Sequence, residues 1–335
     1  MNTCALATPG LRRTPALFLA GMTTVLLCGC QSSAAQVSPT REAPLARRAL
    51  TLLRAAAKYD DPIVRANAIE ALADVDPRAS IELFRAAAAA ESKLVRYAGL
   101  VALGDIRDRD SLVVLRRLLK ASDAHVRIGA AYATYRCGRS GAARVLVDAL
   151  NDSPDEKVRA DAAYLIGKLG EKKAVKRLKL ALRREKTSYV QVHIVSALAM
   201  LGDEESIDAL IYYTQSDITS RLIALQTLDR LAVSRARPAL HRLLDDKQTY
   251  LQIRLLAARA LARLNDRKGY DLAVQSLSRT GQNADETMQI RVNAALALGA
   301  MRQSKALPLL EKLAKNETDP RVQVAAAYAI CQITR

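Results

Sequence analysis

One segment of the chain, Asp155-Glu156-Lys157-Val158-Arg159-Ala160-Asp161-Ala162-Ala163-Tyr164-Leu165-Ile166-Gly167, returns in altered copies along nearly the whole sequence. Its arginine position recurs as Arg65, Arg96, Arg127, Arg159, Gln191, Arg221, Arg254, Arg291 and Gln323, at intervals of 31, 31, 32, 32, 30, 33, 37 and 32 residues. A constant period in this range is the signature of a stacked array, in which no unit can bury its apolar face alone. That constraint replaces the usual inference from length, by which 335 residues would suggest two domains.

The columns of the repeat dictate helices. Small residues stand three and four places after the arginine position, as in Ala130-Ala131, Ala162-Ala163, Ala257-Ala258, Ala294-Ala295 and Ala326-Ala327. Large apolar residues follow at seven places (Leu72, Leu103, Ile166, Leu198, Leu228, Leu261, Leu298, Ile330) and mostly at ten. The set i, i+3, i+4, i+7, i+10 is one stripe of an α-helix, and alanine within it lets neighbouring helices approach closely. Four places before the arginine stand Asp61, Ser92, Asp123, Asp155, Thr187, Asp217, Tyr250, Thr287 and Asp319. Eight of these nine have a side chain able to accept from the free N–H groups of a helix start, and Pro62 and Pro320 suit the first helical position. A second amphipathic run precedes each such helix.

The predicted pairs are 45–58/62–74, 78–91/93–105, 110–121/124–137, 140–151/155–169, 171–186/188–201, 203–215/218–232, 235–246/249–264, 267–279/286–301 and 303–315/319–334. The expected fold is an all-α solenoid of nine helix pairs over 45–335, with a looser turn at Gly281-Gln282-Asn283. The pattern D-x-x-V-R-x-x-A-A-x-x-L-G resembles the HEAT-like repeats of the phycobilisome-lyase type. That resemblance implies a right-handed superhelix with the second helices on its concave face, spanning about 90 Å at ~10 Å per stacked helix pair.

Residues 1–29 read differently. Arg12 and Arg13 are their only charges, an apolar run extends from Ala16 to Leu27, and Cys28-Gly29-Cys30 follows. This is the layout of a secretory signal, too short for a membrane span of ~20 residues. Leu27-Cys28-Gly29-Cys30 resembles the lipobox of bacterial lipoproteins, which implies cleavage before Cys30 and its lipidation. Several acyl chains would anchor stably. Gln31 in place of Asp leans, by the same resemblance, to the periplasmic side of the outer membrane. Residues 30–44 are predicted to be the lipidated Cys and a flexible tether roughly 20 Å long.

Without Arg12 and Arg13 the 51 cations become 49 against 34 acids, a net charge of +15 that attracts anionic surfaces. Export argues against nucleic acid as the partner. Aromatic residues make up 4% with no Trp, poor material for a base-stacking platform or an aromatic ligand pocket. Cys137 and Cys331 fall in distant repeats and read as small hydrophobes. The family that the repeats resemble includes a di-iron hydroxylase and bilin lyases, but His125, His193 and His241 precede no Glu and form no ligand cluster. Gly138-Arg139-Ser140-Gly141-Ala142 is a poor hydrolase match, and Ser140 reads as a helix cap. No enzyme activity, cofactor, metal or small-molecule substrate is expected.

Binding remains. The arginine column reads as a structural ladder. Positions +2, +5 and +9 from it mark the exposed side of the second helices, where Asn67, Glu70, Asp74 and Asp105 give way to cations. Tyr132, Arg136, Tyr164, Lys168, Arg230, Arg259 and Arg263 are therefore the candidate contacts to a protein partner or acidic segment. Separately, Lys168 to Lys186 holds nine cations, and Lys172, Lys176, Lys179 and Arg183 on that convex helix are candidate contacts to anionic lipid or wall polymer. Replacing Cys30 by Ser is expected to leave the protein unlipidated and move it out of the detergent phase on Triton X-114 partitioning. Unchanged partitioning would remove the lipobox reading.

Overall fold

The computed structural model describes residues 39–335, with side chains from Glu42. The predicted signal segment, the lipobox-like stretch and Cys30 lie outside the described residues. Within them the chain forms eighteen α-helices. Nine form an inner layer: α2 (Pro62–Val75), α4 (Lys93–Ile106), α6 (Ala124–Arg136), α8 (Glu156–Leu169), α10 (Ser188–Met200), α12 (Ile218–Leu231), α14 (Leu251–Arg263), α16 (Ala284–Met301) and α18 (Pro320–Ile333). The outer layer comprises α1 (Pro39–Ala56), α3 (Ile81–Ala88), α5 (Leu112–Leu118), α7 (Ala143–Asp152), α9 (Val175–Arg184), α11 (Glu204–Tyr213), α13 (Arg237–Asp245), α15 (Tyr270–Ser276) and α17 (Leu307–Asn316). Each pair falls where the repeat columns place it. No helix of the described residues is long and apolar enough to cross a membrane.

Each inner helix packs against the next, and α18 packs against both α1 and α2. The nine repeats of residues 39–335 therefore close into a ring rather than an open arc about 90 Å long. Nine units complete a turn at about 40° each, and curvature in such arrays accumulates from the small rotation per repeat. Leu45, Leu53, Ala327 and Ile333 belong to one buried apolar cluster. Arg48 donates to Glu311 at 2.7 Å, and the Tyr328 hydroxyl donates to Asp74 at 2.7 Å. Closure covers the apolar faces that an open array must cap with polar terminal repeats.

Close approach between inner helices depends on the small residues. Ala130, Ala131, Ala162, Ala163, Ala257, Ala258, Ala294, Ala295, Ala326 and Ala327 are all fully buried. At Gly167 a Cβ would lie 2.8 Å from the Cα of Ala197, and at Gly299 it would lie 2.8 Å from that of Ala329.

The arginine column has a defined job. Arg96 donates to the carbonyl of Ala90, Arg127 to Ala121 and Arg159 to Ser153, six residues upstream at the end of the outer helix. Gln191 and Gln323 do the same toward Glu185 and Glu317, each at 2.7 Å. One N–H donor at that reach suffices, so Gln replaces Arg without loss of function there.

Three local expectations change. α1 begins at Pro39, so the last residues of the predicted tether are helical. α16 begins at Ala284, and its cap is Asn283 rather than Thr287. Asn283 accepts from the N–H of Glu286 while Glu286 accepts from the N–H of Gln282, so the Gly281 turn is tied by reciprocal bonds. Ser140 does not cap α7. It opens a short 3-10 turn, Ser140–Ala142, with its hydroxyl uncommitted to the helix.

Two outcomes test this architecture. Small-angle scattering should give a radius of gyration near ~20 Å, as for a compact body of this size. An open stack ~90 Å long would exceed ~26 Å, and such a value would break the ring. Ala163→Leu should overpack the α8 interface and cost about 1–3 kcal/mol in chemical denaturation. An unchanged midpoint would contradict the packing just described.

Candidate functional site

The residues predicted to line a binding groove do share one face, the interior of the ring. The ring uses most of them itself. Tyr132, at +5 of the third repeat, is 0% exposed. Its ring lies over Gly104, where a Cβ would sit 2.6 Å from Cε1. Its hydroxyl donates to Asp105 at 2.5 Å, and the buried phenol is held well above its ordinary pKa by desolvation and that carboxylate. Lys168, one repeat further along, reaches past α6 to pair with Asp105 at 2.5 Å. Arg136 packs over the Tyr132 ring at 5.8 Å and reaches its hydroxyl at 3.3 Å. Burial lowers the Lys168 pKa, and Asp105 opposes the shift.

A second network holds the other predicted cations. Arg259 and Arg263 on α14 pair with Asp229 on α12 at 2.9 and 3.2 Å. Asp229 sits at +8, off the three columns read as exposed, and is nearly buried. Sequence reasoning missed it because helix periodicity alone places +8 at the edge of the stripe. Asp74 at the seam takes the Tyr328 hydroxyl and lies 3.8 Å from Arg335. Of the five cations among the candidate contacts, Arg136 and Arg230 form no ion pair among the described residues; Arg136 reaches only the Tyr132 hydroxyl and the backbone carbonyl of Asp105. The Arg230 guanidinium lies 5.3 Å from the Tyr164 ring centroid. Glu70, on α2, is open to the interior, yet enclosure raises its pKa against the fields of Lys168 and Arg230. The predicted gradient from acidic to basic thus becomes, on closure, acid facing base.

Toward the other end of the inner helices, His125 lies 3.5 Å from Asp161 and edge-on to Tyr97. Burial pushes the Asp161 carboxyl up to about 6, with His125 opposing. His193, edge-on to Tyr189, is pushed down to about 4 by burial alone. Among the described residues no group of three His, Cys, Asp or Glu could hold a metal ion. Cys137 and Cys331 are buried free thiols, and desolvation pushes Cys331 up to about 12.

The outer layer has the opposite character. On α9, Leu178 is buried and Lys176, Arg177, Leu180, Arg183 and Arg184 are exposed. Lys172 opens the 3-10 turn Lys172–Ala174 before the helix. Of the convex candidates, Lys179 is committed to Asp203 and Glu205 at 2.7 and 3.2 Å. Lys172, Lys176 and Arg183 form no ion pair among the described residues. Two repeats earlier, α5 presents Arg116 and Arg117 beside Val113, which is 73% exposed, and one repeat later Tyr212 on α11 is 71% exposed. The convex cluster therefore extends beyond the helix that sequence singled out. Only the pairing map could show this, because free and committed cations look alike in sequence.

With this geometry in place, similarities to known proteins can be weighed. The family model for HEAT repeats matches residues 49–136, 81–165, 143–218 and 251–331. Among solved structures, the complex of CpcE and CpcF of phycocyanin lyase from a Nostoc species is 18% identical, with a TM-score of 0.42. The match covers 82% of this chain and 100% of that one. Human deoxyhypusine hydroxylase in complex with glycerol is 17% identical with a TM-score of 0.38, over 88% of this chain and 99% of that one. Among curated proteins none matches this chain in sequence.

The interior titrations have opposite signs. Between pH 6.5 and 4 the unfolded chain protonates His193 while the folded ring does not, so stability falls with pH. Asp161 binds its proton earlier in the folded state, so stability rises as pH falls through 6. His193→Gln is expected to lose less thermal stability than the parent between pH 6.5 and 4.5, and Asp161→Asn to lose more. Parallel profiles for all three proteins would contradict the burial described here. Asp105→Asn removes the carboxylate charge and one of the two oxygens that accept from Tyr132 and Lys168, leaves Lys168 without its counter-charge, and should cost about 2–4 kcal/mol in denaturant unfolding.

Proposed function

The chain belongs to the HEAT-repeat family, and from that footing we propose a non-catalytic binding protein, held at a bacterial membrane through lipidated Cys30. Its ring docks by the outer face on an anionic surface of the cell envelope, lipid head groups or wall polymer. The observation that supports this reading is the distribution of uncommitted charge. Interior cations are mostly neutralised by Asp105 and Asp229. Lys176, Arg177, Arg183 and Arg184 on α9 and Arg116 and Arg117 on α5 are exposed, with Val113 and Leu180 exposed among them. Cations interleaved with exposed apolar side chains suit an interface that is part charged and part hydrocarbon.

A second reading keeps the original groove. A protein scaffold could receive an acidic segment inside the ring, where Gln226 and Arg230 are exposed and Arg230 lacks a carboxylate partner. The same experiment separates the two. Full-length protein should sediment with vesicles containing phosphatidylglycerol and not with pure phosphatidylcholine, with binding falling steeply in salt. Replacing Lys176, Arg177, Arg183 and Arg184 by Glu should weaken vesicle binding more than about a hundred-fold, since each surface cation contributes about 1 kcal/mol. If those changes are silent while Arg230→Glu abolishes capture of an acidic partner from intact cells, the interior reading replaces the outer one.

A further inference from the structure

Asp161 stands on α8, which packs between α6 and α10, with an aromatic pair on either side. On one side Tyr97 of α4 meets His125 of α6 edge-on, with centroids 6.4 Å apart. On the other, Tyr189 meets His193 one turn along α10 at 4.8 Å. His125 and Tyr189 hold the position two places before the arginine column, and Asp161 and His193 hold the position two places after it. Those positions are one helical turn apart and share the inward face; Tyr97, one place after the column, adjoins them. All five side chains are half-buried. We propose that this cluster binds a methylated ammonium of the choline type, with Asp161 as its counter-charge and the rings of Tyr97, His125, Tyr189 and His193 as its walls.

The state of Asp161 points to a cation. Its side chain is 33% exposed and lies 3.5 Å from His125 Nε2, yet it accepts no hydrogen bond among the described residues. Asp74, Asp105 and Asp229, also turned inward, are each committed to a hydroxyl or a cation. Lys157, one turn earlier on α8, is exposed and pairs with no carboxylate among the described residues. Lys168 and Arg230 stand nine places after the arginine column, two helical turns from Asp161 along the axis, or about 10 Å. Burial raises the Asp161 pKa to about 6, so at neutral pH the group is mainly ionised and has no fixed cation beside it. A half-buried carboxylate in that condition favours a ligand of positive charge.

The walls select the class of cation. An aromatic face carries negative potential and attracts a cation within about 6 Å of the ring centre. In an edge-on pair, the ring that offers its edge keeps both faces clear of its partner. The fields of Asp161 and Glu70 reach Tyr97, and that of Asp161 reaches Tyr189, so negative potential covers both walls. The hydroxyl of Tyr97 and Nε2 of His193 are enclosed by protein and offer no acceptor to a ligand. A primary ammonium brings three N–H donors and would find a single carboxylate to receive them. A methylated ammonium has no such requirement: its methyl groups pack on the rings while Asp161 balances its charge. The cluster faces the interior of a closed ring, which a flat bilayer cannot enter, so the ligand is a soluble molecule. This site is independent of docking by the outer face.

Full-length protein should be titrated calorimetrically with choline, tetramethylammonium and ethanolamine at one ionic strength. Saturable binding of choline and tetramethylammonium is expected, with ethanolamine at least about ten-fold weaker. Asp161→Asn should weaken choline binding at least about ten-fold, through loss of the counter-charge. Tyr189→Leu should weaken it several-fold, whereas Tyr189→Phe, which keeps the ring, should retain it. Phosphatidylcholine vesicles should not displace choline; displacement would overturn the assignment to a soluble ligand. The comparison of choline with ethanolamine needs no variant and holds even if one fails to fold. Absence of saturable choline binding, ethanolamine binding as tight as choline, or binding indifferent to Asp161→Asn would overturn the site. None of these outcomes bears on vesicle binding by the outer helices, which is read separately.

Discussion

The approach of one inner helix to the next, made possible by alanine and glycine where a larger residue would clash, is what the rest of this protein depends on. The paired alanines recur in repeat after repeat, and Gly167 and Gly299 bring backbones close enough that an added Cβ would overlap a neighbour's Cα. The same small residues set the spacing at most junctions, and nine repeats return to their starting direction. The final junction, α18 on α1 and α2, is then one more copy of the same contact. Its hydrophobic content is ordinary. What is unusual is that it lies between the two ends of the described chain.

Closure also redistributes charge. In an open arc the acidic first repeats and the basic middle repeats would look out on solvent at separate places. In the ring they face one another across the interior, where desolvation makes an uncompensated charge expensive and a carboxylate within reach correspondingly valuable. Asp105 serves Tyr132 and Lys168 together, and Asp229 serves Arg259 and Arg263. The interior is therefore largely a self-satisfied network, and the excess positive charge of the chain shows on the outer helices.

The repeat columns also assign separate labour within each unit. The aspartate caps the inner helix and the arginine or glutamine ties it to the carbonyl end of its outer partner. Alanine sets the spacing between units. Most of these positions are therefore committed within the fold.

The periodicity of the sequence by itself determined the all-helical fold, the nine helix pairs, the boundaries of the inner helices to within about two residues and the structural duty of the arginine column. These are local or nearest-neighbour properties: a helix stripe, a cap and a small-residue contact are each written within one repeat length. The tertiary structure alone decided the closure, since the seam residues Leu45, Leu53 and Ala327 carry the same pattern as any other repeat and rotation per repeat is not encoded in any column. It also decided which cations are free, because Lys168 and Lys176 are alike as letters and differ in that Asp105, two inner helices away, pairs with one of them. Tyr132 followed the same rule: its column position marked it as exposed, and the neighbouring repeat's Gly104 and Asp105 turned it into core.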